Sequence, residues 1–433
     1  MQVRVPTSAL LLRRGMVVPA LIGLFPLWWA MGLGELIFPV AGLAMGASLV
    51  RQRQIALPRF FGAWVLFLIV VAASGFMLEE QRDVYSWLIR FSQYVAIGLI
   101  VPYVLTHRDH TPTRLVAASC TALFVASVAG GYLGVLLGDL SFRAPLAYLL
   151  PGGFQANSFV REVVNPSFAD IERFLGRFEV TRPKAPFTYT NGWGAAVGLL
   201  FPFALNDALT GFGLSKRLAR FAIAASALPI ALSLNQGLWI SLIAGAGYAA
   251  VRSAGRGDSR LILQLIGLGL VAAIAITATP LGEAFQSDLQ NPNATDDRFE
   301  LYTATIEELP GSPIVGFGGP RVVDEGLPPA GTHGQLWIVL FSHGAAGALA
   351  YFAFLGGLFW STRRYRTPTG LWCHVVLFVA FVQAPFYGHV PQQLAIVMVA
   401  GAVGLLDASD ALVSPAASSP PSAQRQVDEL QAP

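Results

Sequence analysis

Apolar blocks of about 17 to 25 residues recur along the chain, and they constrain it more than any motif does. In lipid a backbone must satisfy its own hydrogen bonds, so each block is expected as a membrane-crossing helix. The blocks fall near 16–32, 34–50, 60–77, 87–105, 114–137, 191–209, 218–234, 237–252, 261–279, 343–360, 370–387 and 391–406, about twelve in all. Composition agrees: 54% of the 433 residues are hydrophobic and 12% charged; a soluble domain carries about a quarter charged residues. The expected fold is an all-α polytopic membrane protein with about twelve transmembrane helices, a single domain over residues 1–410. Residues 411–433 are rich in Pro, Ser and Ala and are expected as a disordered cytoplasmic tail. Arg4, Arg13 and Arg14 before the first block imitate a signal peptide. No cleavage site precedes the second block, so the first is read as a retained span.

Lys and Arg sort the connections into two sets. One set holds Arg51, Arg53 and Arg59, then Arg108 and Arg114, then Lys216, Arg217 and Arg220, then Arg252, Arg256 and Arg260, then Arg363, Arg364 and Arg366. Every alternate connection is basic, which places that side and both termini in the cytoplasm of a cytoplasmic (inner) membrane. The two long loops, about 138–190 and 280–342, then face outward. Within the first, NPSFADIERFLGRF places Phe168, Ile171, Leu175 and Phe178 at helical spacing behind Asn165 and Pro166, so a surface helix is expected there. No nucleic-acid-binding pattern is present. Cys120 and Cys373 both lie in apolar blocks, where packing is their expected role.

The longest polar stretch between apolar blocks is 295–344. In DDRFELYTATIEELP, Phe299, Tyr302, Ile306 and Leu309 recur at helical spacing, with acids at the start and Pro310 at the end. Arg298 occupies the first turn. Gly316, Gly318 and Gly319 follow, where a backbone can approach a ligand closely, then Arg321, then His333 just before the next apolar run. Arginines, free backbone N–H groups and an imidazole suit a bound phosphate and a proton transfer.

This order of elements resembles the C-terminal half of the O-antigen ligase and O-antigen polymerase family. There an Arg-led helix precedes a P-x-x-G-x-G turn, a variable stretch and a His that opens an apolar segment. Here these are Arg298, SPIVGFGG and His333. RPKAPFTYTNGWGAAVGLLFPF (182–203) and LSLNQGLWISLIAG (232–245) fit the same family, and the likeness spans about 180–360. Gln236 stands where the family often has Arg, Gly334 where it has Asn after the His, and His343 where it has an acid near the next Gly. The resemblance implies a metal- and cofactor-independent membrane glycosyltransferase. Its partners would be a polyprenyl-diphosphate-linked glycan donor, a glycan or lipid-linked acceptor, and membrane lipids. It implies Arg298 on the diphosphate and His333 on the acceptor.

Several other residues are candidates for contact with substrate. Arg182 and Lys184, before Asn191, suit either a basic mouth for a lipid diphosphate or contact with lipid headgroups, and Asn191 itself suits a sugar, a diphosphate or a helix cap. Arg90 lies near the end of the fourth block; a charge there faces a cavity or partner, or snorkels to the interface. Gln236 and Arg321 complete the set. Glu35, or Glu79 and Glu80, would carry a mechanism built on an acid in an early outer loop. A transporter or flippase is the competing class. Such proteins tend to carry ionisable groups within their spans and paired repeats; beyond Glu35 and Arg90 these blocks are nearly free of charge, and no repeat is seen.

Overall fold

In the computed structural model the backbone is described at residues 15–151, 153, 157–174, 178–257, 259, 292–322 and 328–413; side chains are described there except at 81, 82, 158, 172–174, 178, 179, 292–299 and 410–413. The chain is mostly helical. The first apolar block is divided into α1 (Val17–Gly23) and α2 (Phe25–Ala30), because Pro26 removes a backbone donor at the start of the second piece. α3 (Ile37–Val50) and α4 (Phe61–Ser74) follow. α5 (Gln81–Gly98) passes at Leu99 into α6 (Ile100–Thr106), and Pro102, whose ring opposes the carbonyl four residues earlier, accounts for the break. α7 (Thr113–Leu137), α8 (Ser158–Val164), α9 (Thr190–Thr210), α10 (Lys216–Leu232) and α11 (Gln236–Ala254) complete the first part. After the next described segment begins come α12 (Pro292–Glu308), α13 (Gln335–Thr362), α14 (Pro368–Gln383) and α15 (Gln392–Val413).

Among the described residues, four helical stretches are long and apolar enough to cross a membrane: Asp83–Thr106, Thr113–Leu137, Gln335–Thr362 and Gln392–Ser409. Ile37–Val50, Phe61–Met77 and Pro368–Gln383 are apolar but shorter. The expectation of about twelve crossings is thus met only in part. The block near 261–279 lies outside the described residues, and so do the N-terminal arginines and most of the tail. The core runs along α9, where residues such as Trp193, Val197, Leu200 and Phe203 are buried, and along the first half of α15, Leu394 to Ala400. The periphery is the inverse of a soluble protein's. Phe76 is 93% exposed and Leu43 77%, and Leu136, Phe221, Ile243 and Leu349 are likewise bare, as lipid-facing side chains would be.

Among the described residues of 165–178 the expected surface helix is not formed. Ala169–Phe174 is strand β1, paired antiparallel with β2 (Phe178–Pro183), with Asp170 opposite Arg182. The all-α expectation is corrected to that extent. The local helical spacing loses to a partner strand rich in β-branched and aromatic residues, FEVTRP. Tertiary contacts also hold the extended form. Phe168 packs edge-on against Trp29, and the hairpin base lies so close to α7 that a Cβ on Gly134 would fall 2.8 Å from the Phe168 carbonyl.

Hydrogen bonds tie the connections into two ends. At one end Arg114 donates to the Gly213 carbonyl, Arg252 and Arg256 to those of Arg363 and Tyr365, and Thr367 to Asp407. These are connections of the basic set. At the other end the hairpin, the turn holding Glu35, and the segments before α13 and α15 meet.

Candidate functional site

Residues 384–391, APFYGHVP, join α14 to α15 and form the floor of that second end. Two prolines keep the segment from continuing as helix, which leaves its polar groups to neighbours. The Pro385 carbonyl accepts from Trp337 Nε1 at 3.1 Å and from the Tyr302 hydroxyl at 3.3 Å, and the two rings stack at 5.0 Å. The Tyr387 carbonyl accepts from the Gln335 N–H at 2.7 Å, and the His389 N–H donates to Gln335 Oε1 at 2.9 Å. The Tyr387 hydroxyl donates to Asn235 Oδ1, and Asn235 Nδ2 donates to the Thr190 carbonyl at 3.4 Å. Gln393 Nε2 reaches the Gly192 carbonyl at 2.8 Å. The stretches 235–237 and 333–337 are thereby gathered on one segment, and 190–192 joins them through Asn235 and Gln393.

Beside it lies a charged corner. Glu35 sits in the turn between α2 and α3. Its Oε2 accepts from Gln93 Nε2 at 3.0 Å and its Oε1 from Gln392 Nε2 at 3.0 Å. Both glutamines are buried. Arg90, Gln93 and Tyr94 recur at i, i+3 and i+4 on α5 and so share a face. The Arg90 guanidinium is close enough to act on Glu35, Tyr94 and His343 together. The Tyr94 hydroxyl accepts from Gln335 Nε2 at 3.4 Å, which links the corner to the floor. Burial pushes the Glu35 carboxyl above its ordinary range, while Gln392, the Arg90 charge and Gln93 pull it back. Half-exposed Tyr189 feels the same corner: partial burial, then the charges of Glu162, Glu35 and Asp170, push its phenol up. His389 is fully buried with neither ring nitrogen hydrogen-bonded among the described residues, and burial pushes its imidazole down to about 3.

The glycine-rich turn has a different task from the one its sequence indicates. α13 is broken at Gly344, with φ 64° and ψ −174°. The turn fills the break. Phe317 and Gly318 donate their N–H groups to the Phe341 and Ser342 carbonyls, and Ala345 and Ala346 donate to Pro313 and Ile314. A Cβ on Gly316 would lie 2.4 Å from the His343 nitrogen, and one on Gly344 2.3 Å from the Ile314 carbonyl. The close approach is therefore to another strand of backbone, and the N–H groups of 317 and 318 are used. His343, buried at the break, is bonded through Nδ1 to Ser74 Oγ at 2.9 Å.

The remaining candidates divide by partner. Lys184 Nζ meets Asp170 Oδ1 at 2.6 Å, and Thr190 takes the other oxygen at 3.0 Å, so this cation is neutralised in place. Arg321 bonds Glu79 at 2.9 Å and the Met77 carbonyl at 3.2 Å, and lies 4.3 Å over the Phe317 ring. It lines a half-open cleft of about 380 Å³ with Glu79, Glu80, Asp83, Val322 and Pro329. Arg182 Nε donates to the Ser233 carbonyl at 2.9 Å. Asn191 is exposed in the first turn of α9, and Gln236 opens α11 next to its cap Asn235. His333, partly buried, is bonded through Nδ1 to Thr332 Oγ1 at 2.9 Å, two residues before α13. Arg298 lies in α12, and its side chain is outside the described residues. No group of three or more metal-ligating side chains occurs among the described residues.

Reading by motif passed over Gln93, Gln335, Gln392 and Gln393. The available signal was an amide at the opening of an apolar helix, in GQLW and PQQLA, and the i, i+3 pair of Arg90 and Gln93. Compared with known proteins, the chain matches no family model and no curated protein.

Proposed function

We propose that the protein is a membrane glycosyltransferase of the O-antigen ligase and polymerase type. It moves a glycan from a polyprenyl diphosphate carrier to a lipid-linked or glycan acceptor at the outer face of the cytoplasmic membrane. The observation that carries this reading is that Asn235 and Gln335 bond residues 384–391 while Asn235 also bonds Thr190, each in or beside one of the stretches on which the family likeness rests. The reaction is substitution at an anomeric carbon with a diphosphate leaving group. Cations stabilise the charge that develops on that group, so Arg298 and Arg90 take the diphosphate. His333 meets the acceptor. Lys184 and Arg321, each held by a carboxylate, shape the mouth instead. About twelve spans with basic connections inside and this end outside complete the reading.

A transporter or flippase is the second reading, and the break in α13 beside buried His343 favours it. Broken helices often mark transport sites, because freed backbone groups there line a path. In this chain the freed groups at Gly344 are already taken by the glycine-rich turn. Deletion of the gene is expected to abolish a surface glycan while its lipid-linked precursor accumulates on the outer leaflet. Accumulation on the inner leaflet would support the flippase.

A further inference from the structure

We propose that Glu35 is the catalytic base of the glycan transfer, clamped by Gln93 and Gln392 beside Arg90 and open to the acceptor hydroxyl. The inference rests on the glycosyltransferase reading and sharpens it, since His333 then orients the acceptor and does not take its proton.

The comparison with other carboxylates is what singles Glu35 out. Asp207 is buried and accepts from the Gly213 and Leu214 N–H groups, which fixes a turn. Asp407 caps the start of α14 through Arg366 and Thr367. Asp170 neutralises Lys184, and Glu79 pairs with Arg321. Each holds an element end or a cation. Glu35 instead receives one buried amide on each oxygen, and the two amides come from different helices, α5 and α15. A carboxylate oxygen has two lone-pair sites, and among the described residues each Glu35 oxygen uses one of them. Glu35 lies in the α2–α3 turn and is not fully buried as a residue, and the proposal puts the acceptor hydroxyl on its remaining sites. A carboxylate held rigidly by neutral donors, with a cation near it, is placed as a base must be.

The step balances without a co-reactant. The acceptor oxygen forms the new bond to the anomeric carbon. The bond from that carbon to the diphosphate oxygen breaks, and its electron pair leaves on the diphosphate. The hydroxyl proton passes to a free lone pair of Glu35 and then to water. The titratable and charged groups facing Glu35 are Arg90 from α5 and Tyr189 from the segment before α9, while α15 offers the Gln392 amide. Burial raises the carboxyl above its ordinary range, and the Gln392 amide, the Arg90 charge and the Gln93 amide oppose that shift.

The test uses full-length protein in vesicles, with lipid-linked glycan extracted from a deletion strain as donor and undecaprenyl diphosphate as the binding probe. Glu35→Gln keeps the shape, and either clamp amide can turn over to accept from it. It is expected to lower transfer at least about a hundredfold while undecaprenyl diphosphate binds as before. Transfer within about threefold of wild type, below the smallest effect a base should have, overturns the assignment. Should that variant fail to fold, Gln392→Leu decides. It strips one donor from the ionised carboxylate, so the acid limb of the pH–rate profile moves to higher pH. An unmoved limb contradicts the proposal, since a purely structural Glu35 would leave it in place. Wild-type protein that neither binds the probe nor transfers glycan sinks the glycosyltransferase reading and this inference with it; active wild type with an indifferent Glu35→Gln sinks the inference alone.

Discussion

The turn at 313–319 and the corner around Glu35 lie at the same end of the helices and are built in opposite ways. The turn carries the recognisable motif, three glycines and an arginine, yet its backbone groups close a gap in α13 and its arginine is paired with Glu79. The corner carries no motif. Its residues come from the α2–α3 turn, α5 and α15, and are joined by side-chain amides around a carboxylate. In a helical protein of this kind an irregular backbone must first satisfy its own N–H and C=O groups. A glycine-rich stretch can be fully occupied by that demand. At the corner the same buried amides serve both demands, donating to the Gly34 and Glu35 carbonyls and to the Glu35 carboxylate.

The comparison breaks most visibly at Gly344. Gly344→Val places a β-branched side chain at positive φ with its Cβ against the Ile314 backbone. A loss of about 3–5 kcal/mol, or failure to fold, is expected in thermal unfolding in detergent. A stable, active Gly344→Val would mean that the turn and the helix break are not interlocked.

Next in size is the acid response of His389, whose burial holds it neutral with a value of about 3. Its unfolded value is about 6.5. The unfolded chain therefore binds the extra proton first, and stability present above about pH 6.5 falls as pH drops toward 3. The slope is at most about 1.4 kcal/mol per pH unit. Unfolding midpoints from pH 7 to 4.5 should fall less steeply in His389→Gln than in wild type; parallel curves would show that His389 titrates alike in the folded and unfolded chain, so that its burial does not hold it neutral.

Asp170→Asn should cost less, about 1–2 kcal/mol, because Asp170 is half-exposed although it leaves buried Lys184 without its counter-charge. The readout is thermal unfolding, with protease nicking near the hairpin as a second measure. Arg321→Ala removes an ion pair whose carboxylate is 75% exposed and should cost under about 1 kcal/mol. A larger loss in Arg321→Ala than in Asp170→Asn would invert the ranking of the two cations.

Helix positions were legible because apolar length alone sets them: the blocks at 114–137, 191–209 and 237–252 correspond to α7, α9 and α11 within a few residues. The hairpin was not, since Phe168, Ile171 and Asn165 carry a good local helix pattern and the deciding partner strand lies elsewhere in the chain. Arg90 and Glu35 could be noticed as charges beside apolar blocks. Their clamp could not, because Gln93 and Gln392 are 299 residues apart and an isolated glutamine carries no signal. The role of the glycines was legible only as close approach; what they approach is a property of the packed α13.

Under the proposed function, transfer belongs to the corner and not to the turn. This assignment is tested by glycan transfer from lipid-linked donor in vesicles, measured side by side for Arg90→Ala and Arg321→Ala. Loss of the Arg90 cation should slow transfer by about a hundredfold or more, and loss of Arg321 should leave it within a few-fold of wild type. Full activity in Arg90→Ala, together with loss in Arg321→Ala, would move the site to the cleft beside Glu79 and contradict the account.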